Sequence, residues 1–136
     1  VGNDFPHLRY ADITLMYAEA LAETDLPTAL TWLNKTRIRA GLDELTSDDV
    51  KTKAEFIREL AAERGREFAL EGHRWFDLCR WGIAYEVMDK DNGSYGKNES
   101  AEARAEMASF VKGKHELFPI PAEEINLNPM EQNNGY

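Results

Sequence analysis

Three glutamates at four-residue spacing, Glu63, Glu67 and Glu71, have the type and the register to do chemistry. Carboxylates sharing one helix face can serve as a general acid/base set or as metal ligands. A di-iron bundle site, however, is built from Glu-x-x-His pairs. Here Glu71-Gly72-His73 has the wrong spacing, and no other histidine stands three residues after a glutamate. His7, His73 and His115 are far apart, and Cys79 is the single cysteine, so a Cys/His metal cluster or a Cys/His nucleophile has no framework. A Gly-rich phosphate loop, a nucleophile elbow and a Walker pattern are all missing from the sequence.

The element that must position these acids runs from Glu55 to Gly82. At 100° per residue, Phe56, Ile57, Leu60, Ala61 and Phe68 share an arc that faces a core. Glu63, Arg64, Glu67 and Glu71 lie on the same arc, while Glu55, Arg58, Ala62, Arg66 and Ala69 lie on the side that can face water. Inward charges must be paired or must change ionisation, and like charges at i, i+4 repel. Cations must therefore converge on this arc. Arg37, on the apolar side of the preceding helix, is expected to meet Glu63, Glu67 or Glu71. The full expected set is a structural ion network of Arg37, Glu63, Arg64, Glu67, Glu71, Arg74, Asp77 and Arg80.

The chain has 136 residues and a formal charge of −9, with acidic residues spread through both halves. That is one domain's worth of chain. The charge provides no nucleic-acid footprint and disfavours anionic membrane surfaces. The sequence begins at Val1 without an initiator Met and shows no signal or membrane-spanning run, so it is expected to be a piece of a longer protein.

The first helix is expected over residues 8–23. Its narrow stripe of Arg9, Asp12, Met16, Glu19 and Glu23 leaves apolar residues around the rest of the circumference, so it should be buried on two sides. Pro27 opens a second helix and Gly41 stops it. Thr28, Thr31, Lys35 and Arg39 form that helix's wet stripe. Together, residues 8–42 read as a tetratricopeptide-type hairpin. Residues 42–51 are turn-like and rich in capping oxygens. The central helix follows over 52–71 and Gly72 ends it. A short helix runs from Arg74 to Trp81, either stopping at Gly82 or continuing to Met88. Residues 89–100 read as a loop and 101–111 as a further helix. In the tail, Pro119 and Pro121 force extended backbone before them, and Pro121 can start a single turn over 122–126. Leu117–Ile120 is the one stretch with a chance of pairing as a strand. The parts are thus a hairpin (8–42), a charged helix with its short successor (52–88), and a loop, helix and docking tail (89–136).

Four motifs stand in order: RYADITLMYAEAL (9–21), ALTWLNKTRIRAGL (29–42), ERGREFALEGHRWFDLCRWG (63–82) and HELFPIP..EI..NP…QN.GY (115–136). The chain resembles the C-terminal part of the SusD/RagB-like outer-membrane lipoproteins, over nearly its whole length. The resemblance implies an all-α fold: a tetratricopeptide-like hairpin plus packed helices and an extended, proline-containing tail. It implies no enzymatic activity and no cofactor. It implies a glycan-binding protein, lipid-anchored at the outer-membrane surface through a cysteine outside this chain, that acts with a TonB-dependent transporter. The partners implied are an oligosaccharide held by the full-length protein, that transporter, and the missing N-terminal part of the same protein. Nucleic acid is not among them.

Sugar binding needs aromatic faces with fixed polar groups beside them. Trp32, Trp75 and Trp81 can supply faces, but amphipathic packing assigns Trp75 and Trp81 to the core. Tyr95, in the polar loop with Asn92 and Asn98, is the candidate for exposure, and Tyr95 and Asn92 are taken as the expected ligand contacts. The competing reading is a helical-repeat adaptor that holds a protein or peptide in a groove.

Overall fold

The computed structural model describes residues 7–106 and 109–136, and every regular element among them is helical. The chain forms two compact units, residues 1–74 and 75–136.

In the first unit, α1 (Tyr10–Leu21) and α2 (Leu26–Arg39) pack together as a hairpin, and α3 (Lys53–Glu67) packs on both. The link is short because Asp25 caps α2, its carboxylate accepting from Thr28 N–H at 3.1 Å, and Pro27 sits in the first turn. At the other end Gly41 takes φ +75°, and Leu42 N–H reaches the Arg37 carbonyl at 2.9 Å. That left-handed closure is the reason for glycine there. The 42–50 segment is tied back by Asn34, whose side-chain amide both accepts from Leu45 N–H and donates to Leu45 C=O. A capping box starts α3: Thr52 Oγ1 accepts from Glu55 N–H at 3.2 Å, and the Glu55 carboxylate accepts from Thr52 N–H at 2.9 Å. Leu15, Ala18, Ala29, Leu33, Phe56, Leu60 and Phe68 fill the space these helices enclose.

The central helix ends earlier than its periodicity suggests. Phe68 is the C-cap and residues 68–72 are a turn, with Leu70 at φ +67° and its side chain in solvent. Gly65 adds a constraint inside α3. A Cβ there would lie 3.3 Å from the Arg74 guanidinium, which donates to the Ala61 carbonyl at 2.9 Å.

The second unit starts within α4 (Arg74–Arg80). Gly82, at φ +69°, closes α4, and α5 (Ala84–Met88) follows as a separate helix. The segment read as loop contains one helical turn, α6 (Ser94–Lys97). The next helix, α7 (Ala101–Glu106), is shorter than expected: of residues 101–111, Met107 and Ala108 lie outside the described residues and Ser109 onward is not helical. Pro121 leads into α8 (Ala122–Leu127).

Leu117–Ile120 does not enter a sheet. Its backbone is held by side chains: Gln132 accepts from Ile120 N–H at 2.7 Å and donates to Ile120 C=O at 2.9 Å, Asn133 Nδ2 donates to Phe118 C=O at 2.6 Å, and Tyr136 OH donates to Leu117 C=O at 3.1 Å. A primary amide presents the same donor and acceptor as a neighbouring strand. No helix among the described residues is long and apolar enough to cross a membrane.

Removing the Thr52 hydroxyl should isolate the value of the cap. Thr52→Ala is expected to cost about 1 kcal/mol in urea unfolding, whereas Thr52→Ser should stay near wild type.

Candidate functional site

The charged arc of α3 lies inward, as burial shows directly: Glu63 and Arg64 are 2% and 5% exposed. Arg9, just before α1, supplies the main cation. Its Nε and Nη2 grip both oxygens of Glu71 at 2.8 Å, Nη1 donates to Glu67 Oε1 at 2.9 Å, and Nη2 also reaches the Glu67 carbonyl at 2.9 Å. Guanidinium geometry suits this paired grip. The other Glu67 oxygen accepts from Arg39 of α2, so Glu67 joins all three helices. Glu63 accepts from Arg66 at 2.7 Å and has Arg37 Nη1 at 3.7 Å. Arg37 also donates to the Asp43 carbonyl at 3.0 Å. Arg64 donates to Asp12 of α1 at 2.7 Å, and both side chains are nearly inaccessible.

Phe68 sits among these cations. The Arg9 and Arg64 guanidinium carbons each lie 4.9 Å from its ring centroid, and the His73 ring packs at 4.9 Å. An aromatic face is a favourable lining for desolvated guanidinium groups.

Of the expected residues, Arg37, Glu63, Arg64, Glu67 and Glu71 come together in the first unit; Arg37 meets Glu63 as expected, and the other partnerships differ from the sequence reading. Arg64 reaches Asp12, because it lies about 100° around the helix from Glu63 and points at α1. Arg74 satisfies the Ala61 carbonyl and packs over Gly65. Asp77 and Arg80 pair with each other in the second unit at 2.9 Å. Arg39, assigned to the wet stripe, and Arg66, assigned to the water side, both keep half or more of their side chains in solvent yet reach Glu67 and Glu63. Long stems allow both. Arg9 and Asp12, expected only as part of the polar stripe of the first helix, belong to the ion network. The available signal was that a polar stripe on an otherwise apolar helix must face the charged arc of its neighbour.

No group of three His, Cys, Asp or Glu among the described residues is arranged to hold a metal ion. The Cys79 thiol donates to the Glu116 carbonyl, and burial raises its pKa, which disfavours the nucleophilic thiolate. Tyr95 is half exposed on α6, and Asn92 gives its backbone N–H to Asp89 at 3.0 Å. In the second unit Phe110 is the aromatic pivot, its ring centroid 5.9 Å from Trp75, 6.3 Å from Tyr85 and 5.4 Å from His115.

Two measurements weigh the ion pairs. Asp12→Ala takes a carboxylate away from a buried guanidinium and should cost about 3–5 kcal/mol in denaturant unfolding. The apolar pair Asp12→Leu with Arg64→Met should recover most of that loss. Acid titration tests Glu71. The Arg9 hydrogen bond holds its carboxyl below the ordinary 4.5. A depressed folded pKa gives stability that is complete above the unfolded value and lost as pH falls through the folded one. The melting temperature should therefore hold above the ordinary value of 4.5 and drop as pH falls below it. Glu71→Gln should shrink that drop without abolishing it, because hydrogen bonds also hold Asp25, Asp49, Glu55 and Asp89 low.

The SusD family model matches residues 2–136. SusD-like protein P25 of Formosa agariphila is 32% identical over 94% of this chain and 24% of its own length. The starch-binding protein SusD of Bacteroides thetaiotaomicron is 33% identical over 98% of this chain and 22% of its own length. The crystal structure of a SusD superfamily protein from Bacteroides vulgatus superposes with a TM-score of 0.73 at 32% identity, over 95% of this chain and 27% of that one. The chain thus spans about a quarter of the length of these relatives. A family match over nearly every residue, together with the same all-helical fold at this identity, establishes that the chain belongs to the SusD family.

Proposed function

We propose that residues 1–136 are the helical scaffold region of a non-catalytic glycan-binding protein. In this reading the whole protein is lipid-anchored at the outer-membrane surface and works with a TonB-dependent transporter in oligosaccharide uptake. The observation that carries the reading is the family match over residues 2–136, which includes a starch-binding relative. The geometry of the acids supports the non-catalytic part. Glu63, Glu67 and Glu71 are each engaged by at least one guanidinium, so each carboxylate is already committed to a structural ion pair. Tight reciprocal pairing of this kind locks helices together.

The outer face of α1 supports the scaffold role. Tyr10, Ile13 and Tyr17, at i, i+3 and i+7, are 75%, 48% and 48% exposed. Such a stripe is the packing face of a helix in a stacked array. The occupant in this reading is the remainder of the longer protein.

A glycan array and an affinity purification with the longer protein test the proposal. The expected result is retention of an oligosaccharide and recovery of a barrel transporter. A blank array together with capture of a soluble protein overturns it in favour of a helical adaptor. Turnover of a glycan that disappears in Glu67→Gln, with folding intact, overturns the non-catalytic part.

A further inference from the structure

The second unit contains a hollow of about 450 Å³ lined by Trp75, Met88, Phe110, His115, Phe118 and Tyr136, with Ser109 at its edge. Its volume lies within the range of about 300–1,000 Å³ typical of small-molecule sites. Aromatic residues and one histidine make up most of the wall.

The wall is held in place on both sides. Phe110 braces Trp75 and His115 edge-on, with interplanar angles of 66° and 74°. Phe118 and Tyr136 are set by the tail clasp: Asn133 holds the Phe118 carbonyl, Gln132 holds both polar groups of Ile120, and the Tyr136 hydroxyl binds Leu117 C=O. Despite that anchoring, Phe118 is 75% exposed and Tyr136 46% exposed. Backbone fixed by hydrogen bonds, carrying aromatic rings left in water, is a preorganised contact surface.

The polar groups are defined as well. His115 Nδ1 accepts from Val111 N–H at 2.9 Å, so the neutral ring carries its proton on Nε2 and can donate it. Tyr136 uses its hydroxyl proton on Leu117, which leaves the oxygen as an acceptor. Ser109 adds a hydroxyl that can do either. One donor, one acceptor and one adaptable group among flat rings match a molecule with an apolar C–H face bordered by hydroxyls. A pyranose ring has that chemistry; an acyclic polyol has the hydroxyls without the face.

We propose that this hollow is a subsite for one pyranose ring, stacked on Phe118 and hydrogen-bonded to His115 and Tyr136. The proposal rests on the glycan-binding reading and adds to it a location within this chain. It places the sugar on residues other than Tyr95 and Asn92.

Calorimetric titration of the full chain with maltotriose, cellotriose and sorbitol tests it. One of the two trisaccharides should bind and sorbitol should not. Phe118→Ala and the bulkier Phe118→Leu should each weaken that binding by about tenfold, with melting curves showing the fold retained. Phe76→Ala should leave it within about twofold, because Phe76 is exposed in the same unit but outside the hollow. Unchanged binding in both Phe118 variants overturns the subsite and leaves the glycan reading standing. So does a longer protein that binds the trisaccharide when the 136-residue chain does not. Equal binding of sorbitol overturns the ring-face assignment. If neither the chain nor the longer protein binds any oligosaccharide, the subsite and the glycan reading fall together.

Discussion

Burying carboxylates on α3 is possible only because guanidinium groups from two other helices meet them, and the rest of the first unit follows from that requirement. Glu67 shows it most directly. One of its oxygens takes Arg9 at the start of α1, and the other takes Arg39 near the end of α2. An acid with both oxygens claimed by different helices fixes their relative height as well as their contact. The desolvation cost of such ions is large, and their mutual attraction does little more than offset it. What the arrangement supplies is discrimination among packings. A one-turn slip of α1 would separate Arg9 from Glu71 and Asp12 from Arg64 together. The apolar contacts of Leu15, Ala18, Leu33, Phe56 and Leu60 tolerate small shifts far better, since dispersion and burial have no directional preference.

Phe68 extends the same logic. It caps α3 and closes the core beneath two guanidinium groups. Its ring keeps water from both cations on one side while offering them a negative face, so the hydrophobic and ionic parts of this unit share a residue. The second unit is built differently. Aromatic contacts around Phe110, edge-on with Trp75 and His115 and tilted with Tyr85, and a side-chain clasp on an extended tail stand beside the Asp77–Arg80 pair. The first unit leans on buried charge, and the second leans more on rings and amides.

Much of this was readable in the sequence, for identifiable reasons. The all-α class was implied by the family resemblance, whereas the inward arc of α3 and the Pro27 and Gly41 boundaries rest on periodicity and on residues with a single backbone preference. Those signals are local. Apart from Arg37 with Glu63, the partners of the acids were not readable, because pairing depends on which face of α1 turns towards α3 and on the reach of long arginine stems. Arg39 shows the difficulty: its backbone position is correctly on the wet side, and its head group still finds Glu67. The tail illustrates a second limit. Gln132 mimics a strand partner with its side chain, and no periodicity can reveal a ladder one residue long. The same clasp gives the stretches FPIP (118–121) and QNNGY (132–136) a shared physical role.

Gly65 carries a consequence of another kind. Glycine in the middle of a helix sacrifices about 1 kcal/mol relative to alanine, and here the space left by the missing methyl is taken by the Arg74 guanidinium on its way to the Ala61 carbonyl. The two positions are therefore sterically coupled: a methyl at 65 asks the guanidinium of Arg74 to give way and loosens its hold on the Ala61 carbonyl, so the backbone grip and the missing methyl are two sides of one contact.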